Sequence, residues 1–373
     1  MKIALVHDWL VTYGGAERVL KCLIECYPDC EVFTLINSNK SLDINNLNAK
    51  KINTSFLQKL PFVRFYYRSL LPLMPIAIEQ FDLSKFDVVV SCSHAVAKGI
   101  ITGPNQIHIC ICFTPIRYAW DLQHQYLVDT NLIKKITNII PRIFLHYIRI
   151  WDLRTAFSVD EFIAISSYIQ KRIYKFYRRE SIIIYPPVNI IDFHVKKRDI
   201  NSEEYYVTCS RLVQYKRVDL LIKAFNILRK NLLVIGDGPE LNKLNKLCGP
   251  TAKMLGFQKS EEILKIYQNA TAFVYAAEED FGISPIEAQA CGIPVIALNK
   301  GGTAETIINL DKEFPTGVLY DNQTCGDIVN AVHKFEKNRS KILAESCRNN
   351  SQNYSTEKFK ELISSFIMSK ATN

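Results

Sequence analysis

The chain alternates short apolar runs with segments whose apolar positions recur every three or four residues. Residues 2–7 carry the run IALV and read as a short buried strand. Ala16, Val19, Leu20, Leu23 and Ile24 then recur at helical spacing, which predicts a helix from about Ala16 to Tyr27. DVVVSC, ending at Ser93 and His94, is a further strand with a helix expected after it. IHICICF and EFIAISS follow as strands, and Ser166 or Ser167 is placed to cap the next helix. After the strand IIIY, the consecutive prolines of YPPV (185–188) form a stiff break suited to a hinge. The second half repeats the alternation. YYVTCS (205–210) leads to a helix from Lys216 that buries Val218, Leu221, Ile222, Phe225 and Leu228. NLLVIG, KMLGF (253–257), TAFVYAA and PVIAL are its further strands.

Strands alternating with helices imply parallel, doubly wound α/β sheets. At 373 residues the chain exceeds what one core serves. Two domains are expected, 1–187 and 188–355. An amphipathic helix at 356–373 is left open to cross back to the first. Two segments break the pattern. FLQKLPFVRFYYRSLLPLMPIAIEQ (56–80) mixes aromatics and leucines with Lys59, Arg64 and Arg68 and ends in one acid. LIKKITNIIPRIFLHYIRIWDLR (132–154) is similar. Such basic, aromatic segments suit an anionic lipid surface, or else a helical insertion packed on its own domain.

The formal net charge of +9 points to nucleic acid, an anionic membrane or a polyanionic substrate. No recognised nucleic-acid motif accompanies it, which disfavours nucleic acid as a partner. Eleven cysteines form no C-x-x-C pair and no zinc spacing with histidine, and their number is odd. They read as small buried residues in a reducing compartment. The first apolar run is too short for a signal peptide, and no run approaches the roughly 20 apolar residues of a membrane span. The expected location is cytoplasmic, with peripheral contact at the inner face of the cell membrane left open.

The candidate chemistry centres on EEDFGISPIEAQACGIP (278–294). Ser284, Pro285 and Glu287 fit a helix N-cap, first and third position, a capping box with proline where its missing N–H is harmless. Gly292 can close the helix in a left-handed cap, and Pro294 stops it. The helix start then directs free N–H groups at what precedes it. Glu279 sits eight positions before Glu287, with no local duty evident. A carboxylate on each side of an N–H-lined turn suits a ligand with sugar hydroxyls and phosphate. Arg211 follows a strand and Lys216 opens a helix, so two cations are placed to neutralise a diphosphate leaving group. Gly14 and Gly15 at a helix entrance would let a phosphate approach the backbone, although a plain turn also explains them. His94 ends a strand, where open α/β sheets bind ligands. Arg117 in TPIRYAWD has two readings, a phosphate or sugar contact and a pairing with Asp121 one turn on, the second slightly preferred. Gly236 and Gly238 are expected to serve close packing, with a place at the border of the nucleotide as the other reading.

The E-x7-E arrangement with an internal Phe-Gly, together with Arg211-x4-Lys216, resembles the retaining nucleotide-sugar glycosyltransferases of family 4. TPIRYAWD is similar to a segment of bacterial surface-polysaccharide (O-antigen or capsule) mannosyltransferases. The resemblance implies a GT-B fold, two Rossmann-like domains facing across a cleft. It implies that Glu279 holds sugar hydroxyls and Glu287 the ribose. The diphosphate would meet Arg211, Lys216, the Gly14–Gly15 turn and the N–H groups at Ile283 to Ile286, with Gly282, Ile283 and Ser284 counted among the donor-binding residues. His94 would touch the transferred sugar, Phe257 would wall the base unless it packs in the core, and Arg117 and Tyr118 would face the acceptor. No D-x-D motif occurs, so no metal or other cofactor is expected. The expected activity is transfer of a hexose, mannose from GDP-mannose first, to a surface-polysaccharide or lipid-linked glycan. A UDP-hexose donor and a sugar-nucleotide epimerase are the alternatives.

Overall fold

The computed structural model describes residues 1–38, 47, 49–124, 139–196 and 203–371. The chain divides into two compact units, Met1–Pro187 with Phe359–Asn373, and Val188–Lys358.

In the first unit the strands are β1 (Ile3–His7), β2 (Glu31–Thr34), β3 (Lys51–Thr54), β4 (Val88–Ser93), β5 (Ile107–Cys112), β6 (Glu161–Ala164) and β7 (Ile182–Ile183). They form one parallel sheet in the order β3-β2-β1-β4-β5-β6-β7. The strands near its centre are buried along their whole length because both faces are covered. The described helices are α1 (Gly15–Cys26), α2 (Met74–Glu79), α3 (Ile139–Ala156) and α4 (Ser167–Tyr177). Ser166 caps α4, accepting from Ile169 N at 3.1 Å. The expected helix after β4 is a single 3-10 turn, Ala97–Gly99. The basic aromatic run at 56–80 is three 3-10 turns and α2. Residues 132–138 of the second such run lie outside the described residues.

The second unit contains β8 (Tyr205–Cys209), β9 (Asn231–Ile235), β10 (Ala252–Gly256), β11 (Ala272–Tyr275), β12 (Val295–Leu298) and β13 (Gly317–Tyr320). These too are all parallel, in the order β10-β9-β8-β11-β12-β13. Its helices are α5 (Val218–Leu228), α6 (Leu241–Leu247), α7 (Ser260–Asn269), α8 (Ile283–Ala290), α9 (Thr303–Thr306), α10 (Cys325–Asn338) and α11 (Ala344–Gln352). Phe225 of α5 and Phe335 of α10 pack on Tyr206 at one face of the sheet. Tyr267 of α7 packs on Phe273 at the other. The closing helix α12 (Thr356–Ala371) contributes its residues from Phe359 onward to the first unit, where Lys360 pairs with Glu25 and Lys370 with Glu161.

The eleven cysteines are all free thiols. A buried charge pair fixes the interior of the first unit. Lys98 and Asp152 are both almost inaccessible and bonded to each other. Trp120 Nε1 and Tyr177 OH add hydrogen bonds to Asp152 at 2.7 and 2.8 Å. Replacing Lys98 by Met strands a buried carboxylate, so the expected loss of stability is about 3–5 kcal/mol. The urea unfolding midpoint of the variant measures it, and adding Asp152→Asn should return part of the loss.

Candidate functional site

In both sheets the strand order reverses beside one central pair, β1 with β4 and β8 with β11. Loops leaving such a pair diverge and open a crevice at the carboxyl ends of the strands. Most of the charged candidates of each unit lie there.

In the second unit, the loop after β8 carries Arg211 and Lys216, and the loop after β11 carries Glu279. Lys216 Nζ is bonded to the Glu279 carboxylate and lies 3.0 Å from Tyr275 OH. The two side chains are only 10% and 17% exposed. Burial opposes the Lys216 charge, but Glu279 outweighs it and holds the ammonium above its usual range. Burial, then the Glu279 charge, pushes the Tyr275 hydroxyl up as well. Glu279 therefore has a local duty that its sequence neighbours did not reveal. Arg211 is exposed.

The loop conformations follow from glycines. A Cβ on Gly236 would lie 1.9 Å from Ser210 O, and one on Gly238 would lie 2.3 Å from Leu212 O. Only glycine lets the turn after β9 press on the 210–216 loop, where Leu212 N donates to Asp237 O at 2.9 Å. Gly301 at φ +70 likewise sits against the Glu279 backbone, and Gly302 N donates to Glu279 O at 2.7 Å.

Several expectations are corrected. The helix after β8 starts at Val218 rather than Lys216, because Arg217 takes a left-handed conformation and Lys216 ends a 3-10 turn. The capping box at Ser284 is absent. Gly282, at φ +92, is the N-cap of α8, so Ile283 and Ser284 are its first two residues and Pro285 its third. Glu287 then lies a turn inside the helix, buried, and beyond any capping role. It adjoins Cys209, whose thiol burial and the Glu287 charge push up to about 12. Gly292 does adopt the left-handed φ, +77, after the helix. Phe257 is 78% exposed just past β10, which excludes the core-packing reading. Asp121, expected to pair with Arg117, is bonded through both carboxylate oxygens to Arg172, a partner the sequence reading did not name. Arg117 and Tyr118 lie in the loop after β5.

In the first unit, His94 directly follows β4. Its Nδ1 lies 2.9 Å from Asp8 Oδ2. Asp8, fully buried after β1, also accepts the backbone N–H groups of His94, Ala95, Val96 and Ala97 at 2.6–3.0 Å. Burial opposes its ionisation, but His94 and these bonds outweigh burial and hold the carboxyl well below the usual range. Burial opposes the His94 charge too, and Asp8 outweighs it, so the imidazole is raised. Beside them, Gly14 N donates to Glu17 at 2.8 Å, and Glu17 lies 3.4 Å from His7 Nε2. Gly14 is thus the N-cap of α1 and Gly15 its first residue. Sequence reasoning missed Asp8, Glu17, His7 and Tyr275. Asp8 and Tyr275 carry a readable signal, a polar residue at the end of a buried strand beside the reversal. Among the described residues, no group of three or more His, Cys, Asp and Glu side chains is placed to hold a metal, and no helix is long and apolar enough to cross a membrane.

Comparison with known proteins places this geometry. Two doubly wound parallel units give the chain the GT-B fold. Residues 190–354 match the family described as Glycosyl transferases group 1. A glycosyltransferase of Methanocaldococcus jannaschii is 26% identical over 208 residues, 53% of this chain and 56% of that protein. The GDP-mannose-dependent α-(1-6)-phosphatidylinositol monomannoside mannosyltransferase of Mycobacterium tuberculosis is 30% identical over 169 residues, 40% of this chain and 43% of that protein. The chain thus spans about half the length of the curated relatives it matches. The crystal structure of Anabaena HepE with UDP superposes with a TM-score of 0.72 at 17% identity, covering 99% of this chain and 100% of that one.

The Asp8–His94 pair makes a pH prediction. With its folded pKa raised, His94 contributes stability that is complete below about pH 6.5 and is lost as pH rises through the folded value. Asp8, with its pKa lowered, contributes above about pH 4 and loses that contribution as pH falls through its folded value. NMR titration of the His94 ring should give a pKa above about 6.5. Asp8→Asn should lower it, because only the Glu17 charge then opposes burial.

Proposed function

We propose that the chain is a glycosyltransferase moving a hexose from a nucleoside diphosphate donor to a glycan, free or lipid-linked. The observation carrying this reading is the Lys216–Glu279–Tyr275 cluster at the reversal between β8 and β11. Breaking the bond to the sugar builds negative charge on the departing diphosphate and positive charge on the sugar. Lys216, with Arg211 and the N–H groups at the start of α8, stabilises the first. Glu279, once Lys216 turns to the phosphate, binds hexose hydroxyls beside the reacting carbon, and Glu287 holds the ribose. His94, oriented by Asp8, serves the transferred sugar, while Arg117 and Tyr118 serve the acceptor. Transfer retains configuration, with the leaving phosphate taking the acceptor's proton and no protein nucleophile.

A UDP-hexose is the first donor reading. It is supported by HepE, whose structures with UDP and UDP-glucose match over the whole chain. It displaces the GDP-mannose preference that went with the resemblance of TPIRYAWD to mannosyltransferases. GDP-mannose is kept as the second reading because the mycobacterial relative is named for that donor. The relatives described above carry transferase names, so the epimerase reading is not carried forward.

The test incubates the chain with UDP-glucose, UDP-galactose or GDP-mannose, with and without membrane extract. Sugar appearing in acceptor with one donor supports the reading, and conversion of free nucleotide sugar without acceptor sinks it. Lys216→Ala should lower turnover about 10²–10³-fold with an unchanged circular dichroism spectrum. Unchanged turnover would remove Lys216 from the chemistry.

A further inference from the structure

The exposed face of α3 carries a line of apolar side chains among Arg142, His146 and Arg154. Ile143, Tyr147 and Ile150 follow one another at helical spacing at 59%, 43% and 57% exposure, and Phe157 continues the line just past the helix end. The opposite side of the helix is the buried one, through Leu145, Ile148 and Trp151. A surface helix ordinarily carries polar residues on its outer face, whereas this one also exposes large apolar side chains there. Its cations Arg142, Arg149 and Arg154 have one acidic counterpart on the helix, Asp152, and that is consumed inside by Lys98.

The 56–79 segment adjoins α3 in the same unit. Leu71 packs with Leu145 and Ile148, while Trp151 Nε1 and Arg154 both reach Glu79, at 2.7 and 2.8 Å. This segment also exposes large apolar side chains, Phe62, Phe65 and Ile76, beside Lys59, Arg64 and Arg68. Glu79 is its only acid, and the contacts from Trp151 and Arg154 engage it. The two segments together present apolar side chains among cations, with both of their acids taken up internally. Large apolar side chains exposed in number on neighbouring segments mark an interaction site.

We propose that this face of the first unit docks on an anionic lipid bilayer, the Ile143–Tyr147–Ile150 stripe and Phe65 entering the boundary of headgroups and acyl chains. Lys59, Arg64 and Arg142 meet lipid phosphates, while Arg149 and Arg154 are held within the unit by Ala119, Gln123 and Glu79, and each cation near the surface adds attraction that salt screens. A second copy of the chain fits less well. A two-fold contact sets a patch against itself, which would place these arginines opposite one another. The proposal does not depend on the donor reading, since its readout is binding and not turnover.

The test is co-sedimentation of the full chain with vesicles of phosphatidylcholine alone, or with about 30% phosphatidylglycerol, at about 0.05 M and 0.5 M salt. Binding to the anionic vesicles at low salt, falling about tenfold or more at high salt, is expected. The variant Phe65→Ser/Ile143→Ser/Ile150→Ser should lose about tenfold or more in partitioning. Ile227→Ser/Leu343→Ser, at exposed apolar sites of the second unit, should change nothing. If the triple variant does not fold, Arg64→Glu/Arg142→Glu should abolish the preference for anionic lipid. Equal binding to both vesicle types, binding that survives these changes, or self-association through this face without vesicle binding would each overturn the proposal.

Discussion

Every strand of both sheets runs in the same direction, and this one constraint decides where chemistry collects. Parallel strands cannot be joined by tight hairpins, so each is followed by a crossover that returns the chain to the opposite edge. All carboxyl ends therefore share one edge of each sheet. The order reverses at β1 and β4 and again at β8 and β11, and in doubly wound sheets the loops beside such a reversal part to receive ligands. Asp8 and His94 lie at the first reversal, and Lys216 and Glu279 at the second.

Both reversals hold a paired charge. A lone ion in such a half-buried place is unfavourable, and each of these ions is stabilised by an opposite partner. The partnership has a chemical use in the proposed reaction. Lys216 can exchange the carboxylate of Glu279 for a phosphate oxygen without ever being left uncompensated. The same exchange frees Glu279 to accept hydrogen bonds from a sugar. Asp8 acts differently. It fills the cradle of N–H groups from His94 to Ala97 with its own carboxylate, which fixes the imidazole instead of leaving an anion site.

Much of this architecture was legible because buried parallel strands leave continuous apolar runs, as in IHICICF and TAFVYAA. The close packing of Gly236 and Gly238 was legible for a related reason, since glycines in a turn after such a run mark backbone approach. The start of α8 was misread. Ser-Pro-x-Glu is a strong local cap pattern, but Gly282 in a left-handed conformation turns the chain into the helix two residues earlier. The local rule lost to a backbone geometry that residues 301 and 302 help to impose from outside. The Lys216–Glu279 bond was invisible for the same kind of reason. Its partners are far apart in sequence and meet only because β8 and β11 are neighbours. The two-pronged bond of Arg172 of α4 to Asp121 was likewise invisible, because its partners lie far apart in sequence.

The central claim is that the β8–β11 crevice receives a sugar diphosphate, with Lys216 passing from carboxylate to phosphate. A crystal structure of the chain with an unhydrolysed donor tests it most directly. The account predicts Lys216 Nζ within hydrogen-bond distance of a diphosphate oxygen, and Glu279 detached from it and facing the hexose hydroxyls. A donor bound elsewhere, or bound with the Lys216–Glu279 pair still closed, would contradict it.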